Sequence, residues 1–157
     1  MVIRRAFLED AQQITSIKTE TFRDEKTRFA PPPDKKPSWF DNEWYADNEE
    51  TKRLIQEFYS CIILVNEEMI GCFWLHDVDA ETVELEDFCI RPAFQGRGYG
   101  SLALQEMEKL FPNKKRWILG TPFYSVRNHH LYEKAGYTKV GEAAEGTVYL
   151  YEKMTNR

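Results

Sequence analysis

The segment Gln95-Gly96-Arg97-Gly98-Tyr99-Gly100-Ser101 sets three glycines at alternate positions, with a basic residue between the first two, directly ahead of a helical pattern. That arrangement suits anion binding. The first N–H groups of a helix lack partners within it, and the helix dipole adds partial positive charge at the same end. Glycine removes the side chains that would hold a phosphate away from those N–H groups. Arg97 adds a cation. The usual nucleotide signatures fit badly. A dinucleotide loop needs G-x-G-x-x-G, and Ser101 stands at the third position; a P-loop needs a terminal G-K-[ST], which the segment lacks. The same glycines would also satisfy a plainer need, a tight strand-to-helix turn.

Titratable residues lie on either side of this loop. Glu84 and Glu86 are two apart in a strand pattern, so both project from one face. In a regular strand Phe88 and Ile90 share that face and Asp87 points away. Downstream, Tyr132 sits in the helical run 128–137, four residues before Gly136. His129 and His130 are adjacent and so diverge on a helix; no ligand cluster accompanies them, and no metal site is expected. Cys61, Cys72 and Cys89 lie in apolar stretches without paired spacing, which reads as reduced, buried thiols and a cytoplasmic protein.

The elements that must position these groups are legible in the periodicity. Residues 2–6 form a short first strand, and Leu8, Ala11, Ile14, Ile17 and Phe22 give a helix over 8–22. Three consecutive prolines and Pro37 impose an extended loop over 28–41. A second helix is expected over 42–60. Strands over 61–65, 69–78 and 82–90 are close enough to pair as antiparallel hairpins. The helix after the glycines has Leu102, Leu104, Met107, Leu110 and Phe111 as its apolar set. A strand over 116–121, a helix over 125–136 ended by Gly136, and two strands about a Gly146 turn close the chain. The order is β-α-α-β-β-β-α-β-α-β-β, an α/β (α+β mixed) domain over residues 1–157. Its 21 basic and 26 acidic residues leave a net charge of −5, which argues against a nucleic-acid partner. No run is long and apolar enough for a membrane span or a signal peptide.

Residues 95–100 fit the [QR]-x-x-G-x-[GA] signature of the GCN5-related N-acetyltransferases, after the strand and basic-proline turn at 84–92 and before a long helix. Residues 128–137, NHHLYEKAGY, resemble that family's second motif. The resemblance covers residues 61–153. It implies a mixed, mostly antiparallel sheet of six or seven strands with about four helices and with strands 4 and 5 splayed apart. By the same resemblance, backbone groups of Phe88, Cys89 and Ile90 bond the pantetheine arm of acetyl-CoA. N–H groups from Gln95 through Gly96, Arg97, Gly98, Tyr99, Gly100 and Ser101 hold its pyrophosphate. Many members carry an asparagine seven residues before the tyrosine; here that position is Ser125, and Asn128 is four before Tyr132. Either can touch the cofactor, and Ser125 can instead cap the helix.

The implied reaction is acetyl transfer to a primary amine by direct attack in a ternary complex. It poses two proton problems. A lysine-like amine has a pKa near 10.4, so roughly one molecule in a few thousand is free at neutral pH. The departing thiolate must then be protonated, and a tyrosine hydroxyl can donate to it. The resemblance assigns that donor to Tyr132. It gives the base to Glu84, which stands six residues before Ile90, with Glu86 or water as alternatives. Trp39, Phe40, Trp44 and Tyr45 line an acceptor pocket or anchor their loop. Asp41, Glu43, Asp47, Glu49 and Glu50 attract a cationic amine or form a solvated face. The acceptor is a small molecule, a peptide N-terminus or a lysine, and the resemblance allows a homodimer. A module that binds acyl-CoA without turnover, or a transferase of another acyl group, would carry the same loop; the intact Tyr132 and Glu84 favour catalysis.

Overall fold

A computed structural model describes residues 1–155. The element order is the one expected from periodicity: β1 (Val2–Arg5), α1 (Ala11–Arg28), α2 (Asn48–Glu57), β2 (Tyr59–Val65), β3 (Glu68–Asp77), β4 (Thr82–Ile90), α3 (Tyr99–Leu110), β5 (Arg116–Pro122), α4 (Val126–Lys134), β6 (Thr138–Ala143) and β7 (Val148–Met154). The strands form one seven-stranded sheet in the order β1-β2-β3-β4-β5-β7-β6. Every pair is antiparallel except β4 with β5. That exception follows from connectivity, because the α3 crossover returns the chain in the same direction.

Two apolar layers sandwich the sheet. Trp117, Leu104, Met107, Phe73 and Leu85 pack on the face covered by α3 and α4. Ile14, Ile17, Ile62 and Cys72 pack on the other, beneath α1. The buried side of α1 begins with Ala11, Ile14 and Ile17 and becomes polar toward its end, through Lys18, Thr21 and Glu25. That change of character follows the helix out of the core and over the sheet's central opening.

The opening is set by pairing that stops. β4 and β5 are in register from Thr82↔Arg116 to Leu85↔Leu119, and no pair joins them beyond that point. The splayed pair expected of strands 4 and 5 is therefore present. Two residues later, at Asp87, β4 bulges. Trp74 faces Glu86 and Cys72 faces Cys89, so Phe73 alone spans Asp87 and Phe88. Asp87 takes the left-handed conformation, φ 50°, which aspartate tolerates better than most residues. The bulge corrects the alternation expected for a regular strand. Phe88 and Ile90 join Leu85 in the α3/α4 layer, Cys89 joins the α1 layer, and Glu86 does not share a face with Phe88.

Local boundaries differ from expectation where side chains intervene. α2 starts at Asn48 because Asp47 accepts from the Glu49 and Glu50 N–H groups, and Trp44–Ala46 form a separate 3-10 turn. α1 begins at Ala11 after a 3-10 turn at Leu8–Asp10 and runs on to Arg28. α3 buries Ala103, Leu104 and Met107, whereas Leu102 and Leu110 are exposed. Among the described residues, no helix is long and apolar enough to cross a membrane.

A close backbone approach pins the bulged strand to its neighbour. Gly71 on β3 faces Ile90, and a Cβ there would collide with the Cys89 carbonyl oxygen. Gly71→Ala is therefore expected to lower the unfolding free energy by about 1–3 kcal/mol, the usual cost of overpacking, as a shift in the urea midpoint with the slope unchanged.

Candidate functional site

The turn from β4 into α3 has a backbone geometry that suits an anion. Gly98 sits at the N-cap of α3 in the left-handed conformation, φ 87°, and Gly96 precedes it at φ 75°. A Cβ at either position would meet nothing within 4 Å, so conformation rather than crowding requires glycine, and the space beside the backbone is clear for a ligand. Gln95 braces the turn. Its Nε2 donates to the Ile90 carbonyl at 2.7 Å, and its Oε1 accepts from Arg28 Nη2 at 2.6 Å. Gln95, Gly96, Gly98, Gly100 and Ser101 line a cavity of about 360 Å³ together with Phe88, Cys89 and Ile90. Arg97 and Tyr99 do not line it. The Arg97 guanidinium lies over the Phe94 ring at 5.5 Å, and Tyr99 packs beside the same ring. Arg127, His130 and Lys134 from α4 complete the wall; periodicity alone singled out neither of the two cations.

A second cavity of about 360 Å³ opens on the far side of Phe88. Phe22, Glu25, Phe88 and Asn128 line both, so the two meet at the gap between β4 and β5. Ser125, Asn128 and Tyr132 reach the second cavity from the start and middle of α4, and Glu86 and Asp87 from β4. Trp39, Trp44 and Tyr45 form its outer wall. Phe40 is not in that wall; it packs edge-on against Tyr124 at 5.5 Å. The aromatic cluster also anchors its loop, since Trp39 Nε1 donates to Thr147 Oγ1 at 3.0 Å.

The carboxylates sort differently from the sequence-based expectation. Glu84 lines neither cavity, and its Oε1 is 3.5 Å from His76 Nδ1. Glu86 faces the second cavity. Burial pushes its pKa up to about 8, with further contributions from the charges of Glu84 and Asp87 and a hydrogen bond with Glu84. Asp41, Glu43, Glu49 and Glu50 are paired with Lys36, Arg23, Lys52 and Arg53, and Asp47 caps α2. The acidic groups that line the second cavity are instead Glu25, Glu86 and Asp87, together with Lys26.

Tyr132 is buried, and within the described residues its hydroxyl makes no hydrogen bond. Burial, then the Glu25 charge, raises its pKa, so the phenol keeps its proton at any ordinary pH. Ser125 occupies the N-cap of α4, yet its side chain caps nothing; the buried Oγ has no partner. The capping role open to Ser125 on sequence is thus not the one it takes. Asn128 lies at the junction of both cavities. Among the described residues, no group of three or more histidine, cysteine or acidic side chains is arranged to hold a metal ion.

A cleft through a splayed mixed sheet, with a glycine cradle at one end and a buried tyrosine near the other, invites comparison with known proteins. The model of the acetyltransferase (GNAT) family matches residues 14–137. The chain belongs to that family. Membership makes this GNAT protein an acyltransferase. No curated protein sequence matches it. Its fold is similar to that of the PaiA N-acetyltransferase of Thermoplasma acidophilum, solved with coenzyme A: 18% identity, TM-score 0.81, 98% of each chain covered. A GNAT acetyltransferase of Streptococcus agalactiae superposes at TM-score 0.83 with 18% identity, covering 99% of this chain and 96% of that one. The spermidine N-acetyltransferase of Vibrio cholerae, solved with coenzyme A and spermine, gives 0.69 at 16% identity, covering 98% and 94%. At such identities the likeness is one of fold.

The raised Glu86 pKa ties this GNAT site to stability. In the unfolded chain the carboxyl titrates near 4.5; in the folded protein it keeps its proton to about 8. Between those values the folded state binds more protons, so this residue's contribution to stability falls as pH rises. Glu86→Gln should flatten that decline, read as the change in thermal midpoint between pH 5 and pH 8.5 in the variant and in the native protein.

Proposed function

We propose that residues 1–157 act as one N-acetyltransferase domain, transferring acetyl from acetyl-CoA to a primary amine by direct attack with both substrates bound. The observation that carries this reading is the meeting of two cavities at Phe88 and Asn128, with the glycine cradle at one end and Tyr132 and Glu86 beside the other. Residues fit for the cofactor are present. N–H groups of the Gly96–Ser101 turn suit its diphosphate, Lys134 adds a cation, and the unpaired β4 edge at Phe88, Cys89 and Ile90 suits its amide-bearing arm. When bound, acetyl-CoA supplies an acyl carbon activated as a thioester.

The chain's own groups handle the protons. Glu86 accepts the proton of the incoming ammonium, directly or through one water. Its pKa of about 8 lies much closer to that of an alkylammonium than an ordinary carboxylate's does, so the transfer is less uphill. Glu84 stands behind Glu86 and acts through it, holding its carboxyl and raising its basicity. The new C–N bond forms as the C–S bond breaks, and the Tyr132 hydroxyl donates its proton to the leaving sulfur. Asn128 at the junction and the unpartnered Ser125 hydroxyl, which lines the same cavity as Tyr132, are suited to orient the thioester. Trp39, Trp44 and Tyr45 form a wall for the apolar part of an amine, and the Glu86 carboxyl faces the same cavity. These features, with the spermidine and aminoglycoside acetyltransferases among structures of similar fold, support a small-molecule amine as acceptor. The three free cysteines accord with a cytoplasmic setting.

An amine panel followed by thiol release tests the activity directly. Tyr132→Phe should lower kcat by about 10²-fold or more while calorimetry finds coenzyme A affinity unchanged; full turnover would remove Tyr132 from the chemistry. The kcat/KM profile of the native enzyme should still climb with pH and bend near 8, and Glu86→Gln should lose that bend. Gly98→Glu, which sets bulk and negative charge in the cradle, should abolish coenzyme A binding while leaving the far-ultraviolet circular dichroism intact.

A further inference from the structure

Several buried polar atoms among the described residues have no hydrogen-bond partner, and three of them share one wall: Thr21 Oγ1, Glu25 Oε1 and Arg127 Nε. All three residues line the cofactor cavity, across from the unpaired edge of β4. Thr21 and Glu25 are one helical turn apart on α1 and so project together. Arg127 comes from α4 and is locked to Glu25 by Nη2 to Oε2 at 2.8 Å, with the Glu25 side chain only 9% exposed. That bond occupies one oxygen of the carboxylate and one nitrogen of the guanidinium, and it leaves the other oxygen and Nε fixed and unpaired.

Thr21 departs from the other threonines of α1. Thr15, Thr19 and Thr27 each donate to the carbonyl four residues back, the default bond for a helical threonine. Thr21 makes no such bond, although it is 4% exposed. A buried, unpaired hydroxyl is costly, and three such atoms beside one cavity mark a place where a ligand completes the bonding.

The chemistry of the trio specifies that ligand. Arg127 Nε offers one donor, Glu25 Oε1 one acceptor, and the Thr21 hydroxyl serves as either. A phosphate needs donors alone, and the Glu25 carboxylate would repel it. An ammonium would engage Glu25 and Thr21 but leave Arg127 Nε unpaired. A secondary amide, with one N–H and one C=O, matches the set. Resting on the acetyl-CoA reading above, we infer that Thr21, Glu25 and Arg127 form a side-chain wall for the amides of the pantetheine arm, facing the backbone wall of β4. The arm is then gripped from both sides of the cleft, and the Glu25–Arg127 pair fixes how far α1 and α4 stand apart over it.

Thr21→Val keeps the shape and removes the hydroxyl. Calorimetry with coenzyme A and with adenosine 3′,5′-bisphosphate, which lacks the arm, separates the two halves of the cofactor. The variant should bind coenzyme A about fivefold more weakly and the bisphosphate as the native protein does. Its ligand-free thermal midpoint should be equal or higher, because an unpaired buried polar group has been replaced by an apolar one. Glu25→Gln should likewise weaken coenzyme A alone. Unchanged coenzyme A affinity in both variants, equal weakening toward both ligands, or an effect confined to the KM of the amine would each overturn the inference. If the native protein binds neither ligand, the acetyl-CoA reading falls with it; if the native protein binds coenzyme A and both variants match it, only the amide wall falls.

Discussion

The parting of β4 from β5 after Leu85 and Leu119 is the constraint on which the site depends. A sheet normally pairs every backbone group it can, because an unpaired one in the interior is costly. Here the bulge at Asp87 falls just past the last pair and bends β4 away. The bulge is itself held in place. Trp74 Nε1 donates to Asp87 Oδ2 at 2.8 Å, and the buried Lys18 ammonium lies 3.7 Å from the same oxygen. A left-handed aspartate is thus fastened from the neighbouring strand and from the helix above, which offsets its conformational strain.

Both cavities follow from that parting. The gap exposes the β4 edge to one side and admits Glu86 to the other, and α1 and α4 close over it through the Glu25–Arg127 pair. The polar end of α1 belongs to the same design. Its first turns bury isoleucine against the sheet, and its last turns present Thr21 and Glu25 to the opening. One helix therefore contributes core packing at one end and a polar cavity wall at the other.

Burial sets the ionisation of two groups at the second cavity. Glu86 and Tyr132 are both shifted upward by loss of solvent, and in both cases a neighbouring carboxylate adds to the effect. The result is a carboxyl that keeps its proton well above the usual carboxylate range and a phenol that stays protonated at ordinary pH. Neither property needs a metal or an unusual residue; it needs an aromatic wall and a narrow cleft.

Much of this was legible in the residues themselves. Element order follows from local periodicity, so the fold class could be read without coordinates, and the glycine turn follows from the conformations and clearance only glycine provides. Which carboxylate would reach the opening could not. Alternation along residues 84–90 sets Glu84 and Glu86 on one face with Phe88; the bulge, fixed by Trp74 and Lys18 from distant parts of the chain, takes Phe88 off that face, and Glu86 but not Glu84 lies beyond the last β4–β5 pair. The trio of Thr21, Glu25 and Arg127 was equally hidden, although the α1 stripe that turns from isoleucine to threonine and glutamate was a visible sign. Its meaning depends on a contact across 102 positions. Spacing reports what one element can present; which groups meet, and which are left without a partner, is decided when the elements pack.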